Sequence, residues 1–93
     1  MDDSTLLSTP SIRLRILRKV LSLKQLTLAE LINVSISTIG NWERSEVYLH
    51  PSHKERLRYV GINTQWIEYG TGEPFSLDLE KVKHNIFFTL KRD

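Results

Sequence analysis

The stretch Leu28-Ala29-Glu30-Leu31-Ile32-Asn33-Val34-Ser35-Ile36-Ser37-Thr38-Ile39-Gly40-Asn41-Trp42-Glu43 leaves this chain the fewest alternatives. Leu28, Leu31 and Ile32 fall at helical spacing. Asn33 follows, one of the few non-glycine residues that tolerates a left-handed backbone, so a helix stops there. Val34 is apolar and suited to plug a turn. Ser35 is a good N-cap for a second short helix whose Ile39 and Trp42 stand three apart. Two short helices joined by a tight turn, apolar faces towards each other, make a helix-turn-helix. Ser35, Ser37, Thr38 and Asn41 give the second helix an outer face of small polar side chains, fit to enter a DNA groove.

The remaining bounds are consistent with that reading. Ninety-three residues suffice for one domain with its own core. There is no cysteine, which excludes disulfides and thiolate metal sites and fits a reducing cytoplasm. The N-terminus carries Asp2 and Asp3 and lacks a basic-then-apolar signal pattern. No apolar run approaches the ~20 residues of a membrane span. Net charge is only +2, but residues 11–60 hold nine basic side chains against four acidic ones. The positive charge therefore lies on the segment with the helix pair and suits a polyanionic partner. A solvated basic face would look the same.

Residues 1–9 are expected to be a flexible N-terminus, with Thr9-Pro10 as N-cap and first helical residue. Helix one should run from Pro10 to about Leu21, with Ile12, Ile16 and Val20 as its stripe and Leu14, Leu17 and Leu21 widening it. Arg13, Arg15 and Lys19 are expected to face solvent or phosphate. Helix two should cover Gln25 to Ile32, although a box over Thr27–Glu30 permits a later start. Helix three should cover Ile36 to Arg44. Gly40 in its middle costs about 1 kcal/mol relative to alanine. Close packing against a neighbouring helix is the favoured explanation, close approach to DNA the other. His50-Pro51 opens helix four, Ser52–Glu55 reads as its capping box, and Gly61 ends it. Asn63 caps helix five, which ends at Gly70. Residues 75–93 read as helix or strand. Leu79, Val82, Ile86, Phe87 and Leu90 make a helical face too apolar to stay in water, so the segment folds back or meets its copy. Helix and a dimer contact are favoured. The fold class is thus all-α: five helices over residues 10–74 plus a C-terminal dimerisation segment.

Gln25, the block Leu28–Ser35, Ser37-Thr38-Ile39, Asn41-Trp42-Glu43-Arg44 and the later run Gly61–Gly72 resemble the phage repressor/Cro family of helix-turn-helix regulators, over about residues 10–74. That resemblance implies binding of double-stranded operator DNA as a homodimer and control of transcription. It assigns base contacts to Ser35, Ile36, Ser37 and Asn41. It assigns phosphate contacts to Gln25 and Arg44; Lys24 and Thr38, with Lys19 or Lys54, are further phosphate candidates. It pairs Arg18 with Glu43 as a structural ion pair. Three positions depart from the family pattern: Asn33 replaces the usual turn glycine, Lys24 the usual cap, and Arg56 a usual leucine.

Chemistry makes Asn41 the strongest reader, since its amide can donate to and accept from adenine N6 and N7. Helix three holds no Arg or Lys before Arg44, so its middle offers no bidentate guanine reader, and A·T pairs are expected at the read positions. His50, His53 and His84 form no convincing metal site. No nucleophile elbow and no glycine-rich phosphate loop is present, so neither an enzyme nor a cofactor is expected. The rival reading is a protein-interaction module, a partner of another regulatory protein, acting through residues 75–93.

Overall fold

The computed structural model describes residues 9–91, so the expectation for the first eight residues lies outside it. Among these residues the secondary structure is helical throughout, apart from one isolated bridge. We number the helices α1 (Pro10–Val20), α2 (Gln25–Ile32), α3 (Ile36–Arg44), α4 (Pro51–Val60), α5 (Thr64–Tyr69) and α6 (Leu79–Lys91).

Local signals set most of the boundaries. Thr9 Oγ1 accepts the Ile12 N–H at 3.3 Å, and Pro10 takes the first helical position, where its missing N–H costs nothing. Ser22 then turns left-handed at φ 59°. The Leu23 N–H reaches back to Arg18 O at 3.0 Å and closes α1. α2 begins at Gln25 with no side-chain cap, rather than at the later box. α4 opens on a different cap from the one its sequence suggested. His50 Nδ1 accepts the Ser52 N–H at 3.3 Å, and His53 Nδ1 accepts the His50 N–H at 3.2 Å. Glu55 is exposed and takes no part.

α1, α2, α3, α4 and α5 close around one core whose fully buried members include Leu14, Leu17, Leu28, Leu31, Ile32, Ile39, Leu57 and Ile67. On α1 the buried stripe is Leu14, Leu17 and Leu21, whereas Val20 is 45% exposed. The expected stripe through Ile12, Ile16 and Val20 is therefore rotated, because α1 packs on both α3 and α5. Arg13 is not on the outer surface. It is 5% exposed and donates through Nε to Ile67 O at 2.9 Å and through Nη2 to Glu68 O at 3.2 Å. It thereby satisfies carbonyls near the end of α5 that have no helical partner.

Residues 75–91 fold back on the body. Ile62 and Phe75 form an antiparallel bridge, with Asn63 N–H on Pro74 O and Ser76 N–H on Gly61 O, each at 2.9 Å. The line expected between body and tail at residue 74 falls inside this pairing. Gly61 makes the return possible: its φ is +103°, and a Cβ there would lie 2.9 Å from Leu77 Cδ1. Asp78 Oδ1 then caps the last helix through the Lys81 N–H at 3.0 Å. Of the two readings of this segment the helix is the one formed. α6 lies against α2 and α4, burying Val82 at 0% and Ile86 at 3% exposure, with Leu79 and Leu90 half-buried beside them. Val82 and Ile86, expected in a dimer contact, are buried in the core of this chain. Phe87 and Phe88 face outward at 60% and 51% exposure. No helix among the described residues is long and apolar enough to cross a membrane.

Candidate nucleic-acid interface

The turn between α2 and α3 is made by Asn33, left-handed at φ 63° and ψ 50°. The Val34 N–H returns to Ala29 O at 2.9 Å and the Asn33 N–H to Glu30 O at 3.3 Å, the closure that lets a helix end within one residue. Val34 is half-buried against the core. Ser35 Oγ accepts the Thr38 N–H at 3.2 Å, capping the first turn of α3, and lies 2.9 Å from Thr38 Oγ1, which holds the capping hydroxyl in place.

α3 then presents two faces. Ile39 and Trp42 are buried at 0% and 7% exposure, with the Trp42 ring edge-on to His53 at 5.6 Å. Ser35, Ile36, Ser37, Asn41 and Arg44 are exposed, and Thr38 is half-buried at the margin. The four residues assigned to base contacts are therefore all exposed. α6 packs on α2 and α4.

Behind that surface α3 is braced by charge. Arg18 donates through Nε to Glu43 Oε2 at 2.6 Å and through Nη2 to Oε1 at 2.9 Å, a two-pronged pair. Its third nitrogen reaches Leu23 O at 2.7 Å, tying in the α1–α2 connection. Gln25 Nε2 donates to Glu43 Oε1 at 3.2 Å. The side chains of Arg18 and Glu43 are 13% and 5% exposed. Burial pushes the Glu43 carboxyl up. The hydrogen bonds from Arg18 and Gln25, with the charges of Arg18 and Arg15, outweigh that and hold it below its usual range. The Glu43 hydrogen bond, opposed by burial and aided by the carboxylate charge, raises the Arg18 guanidinium.

The residues assigned to phosphate are dispersed in role. Lys24 is exposed at the uncapped start of α2. Gln25 is turned inward onto Glu43. Lys54 is paired with Glu68 at 3.1 Å. Arg44 folds back along α3 and donates through Nη2 to Asn41 Oδ1 at 2.8 Å. The same guanidinium covers Gly40, where a Cβ would come within 3.0 Å of Arg44 Nη1. Sequence reasoning missed this arrangement. The space over Gly40 is filled neither by a neighbouring helix nor left open, but by the side chain four residues on. The spacing of Gly40 and Arg44 was a signal for it.

Among the described residues, no three His, Cys, Asp or Glu side chains are grouped to hold a metal ion. No protein-family model matches the chain, and no curated protein and no solved structure is significantly similar to it.

Proposed function

We propose that this chain is a sequence-specific DNA-binding regulator of transcription of the phage repressor/Cro kind, which inserts α3 into the major groove of operator DNA and acts as a homodimer. One observation carries the reading. A short helix is capped by Ser35, anchored from behind by Ile39, Trp42 and the Arg18–Glu43 pair, and left open on the face that bears Ser35, Ser37 and Asn41. A major groove about 12 Å wide admits one such helix. Phosphate contacts position a protein and base-edge contacts specify sequence. Lys24, beside the uncapped N-terminus of α2, is the best-placed phosphate ligand, since a helix N-terminus favours anions.

Two copies are required to read two successive turns, with their recognition helices about 34–36 Å apart. Phe87 and Phe88 on the outer face of α6, rather than Val82 and Ile86, are the apolar side chains free to meet a second copy. Selection of bound duplexes from a random pool tests the function. An enriched inverted repeat is expected, and a pool that stays random contradicts the proposal.

The same outward aromatics support a second reading, a protein-interaction module. Tyr59, His84 and Phe88 line a cleft of about 460 Å³ between α4 and α6. A chain that sediments as a monomer and shows no salt-dependent binding to duplex DNA favours that reading.

A further inference from the structure

We propose that Asn41 and Arg44 form one reading unit that presents donors, and that α3 therefore selects guanine where Asn41 alone would select adenine. This rests on α3 being the DNA-reading helix.

The chemistry follows from which atoms are already engaged. A guanidinium has only donors. The amide atom 2.8 Å from Arg44 Nη2 is therefore the oxygen Oδ1, and the Asn41 NH₂ points away from it. Bidentate recognition of adenine needs that oxygen to accept from N6 while the NH₂ donates to N7. In this chain one of the two lone pairs of Oδ1 already accepts from a cation, so an adenine N6 donor would have to share the oxygen with a guanidinium that itself seeks acceptors on the base edge. The donors this bond leaves to the pair are the Asn41 NH₂ and the other guanidinium N–H groups. Guanine presents two adjacent acceptors, O6 and N7, in the major groove and matches those donors.

Gly40 is what brings the guanidinium there. Arg44 lies in the last turn of α3, yet its Nη1 sits 3.0 Å from the point a Gly40 Cβ would occupy. A bare backbone one turn upstream gives the side chain a place to lie, so a cation is delivered to the middle of a helix that has no other Arg or Lys before it. Glu43, the nearest carboxylate in the sequence, does not draw Arg44 away, because its oxygens accept from Arg18 and Gln25.

The test is duplex selection with the full chain as wild type, Arg44→Met, Arg44→Lys and Gly40→Ala, read alongside NMR of the Asn41 side-chain amide in the free protein. The wild type is expected to enrich guanine at one position in each half-site. Arg44→Met is expected to lose that preference by about 10- to 100-fold and to turn to adenine there, leaving the rest of the site unchanged. Arg44→Lys keeps the charge without the planar fork, so it is expected to keep affinity for random duplex and lose the guanine preference. Gly40→Ala, whose Cβ would crowd Arg44 Nη1 at 3.0 Å and nudge the guanidinium, should shift the preference in the same direction by less. In the free protein both Arg44→Met and Gly40→Ala should move the Asn41 amide resonances. Adenine at that position in the wild type, or guanine retained by Arg44→Met, overturns the pair while leaving the regulator reading intact. A uniform loss on all duplexes with Arg44→Met and Arg44→Lys alike also overturns it, because Arg44 is then a phosphate ligand. No enrichment by any form removes the regulator reading and the pair with it.

Discussion

Arg18 and Glu43 decide how firmly α3 is held. Removing one partner strands the other charge in a place where its side chain is almost fully covered. Arg18→Met should therefore lower the free energy of unfolding by about 3 kcal/mol, measured by denaturant titration at neutral pH. An unchanged midpoint would dispose of the pair as a brace. Acid should have the same target. The Glu43 carboxyl is held below its ordinary 4.5 in the folded chain, so the unfolded chain binds the proton more readily. Stability from this group is complete above that value and is lost as pH falls through the folded one. Glu43→Gln should flatten the acid limb of a plot of stability against pH. Arg13 shows the limit of reading such residues from sequence. Its neighbours Arg15 and Lys19 are exposed as expected, but Arg13 is turned in to the carbonyls of α5, more than fifty positions away in the chain. Nothing local to Arg13 distinguishes it from a surface charge.

At the scale of single helices, α4 carries an uncommon device: two histidines cap it reciprocally through ring nitrogens that must be unprotonated to accept. Burial, with the nearby His50 charge, pushes the His53 imidazole below its ordinary 6.5. The unfolded chain again binds the His53 proton more readily, so the bond His53 accepts contributes fully above that value and weakens as pH falls below it. His53→Gln supplies a carbonyl acceptor that does not titrate, and should remove this upper step while leaving the one from Glu43. Thermal midpoints measured from pH 8 to pH 4 separate the two. α1 to α5 were legible in the sequence because their stops and starts are local: Thr9-Pro10, Asn33, Ser35, Gly61, Asn63 and Gly70 each act on the residues beside them. The histidine cap was misread as a Ser52–Glu55 box because both patterns span the same turn. α6 was ambiguous because Ile86–Leu90 suits either period. What favours the helix is the Asp78 cap at its start and the burial of Val82 and Ile86, one turn apart, against the body. The open polar face of α3 was legible as a pattern, whereas the folding back of Arg44 over Gly40 depends on side-chain geometry.

The described residues pack around one core, which the last helix seals on the side of α2 and α4. Ile86 and Phe87 are adjacent in sequence and opposite in role, at 3% and 60% exposure. Ile86→Ala should destabilise the entire chain by about 3 kcal/mol. Phe87→Ala should change stability by no more than about 0.5 kcal/mol and weaken self-association in sedimentation. A reversal of these effects would place α6 outside the core. Everything functional then depends on the surface that this packing leaves open. The decisive measurement is the affinity of Asn41→Ala for a selected duplex and for a random one, at the same salt concentration. A loss of about 1–3 kcal/mol on the selected duplex with little change on the random one is expected of a base-reading side chain. Equal losses on both, or none on either, would contradict it.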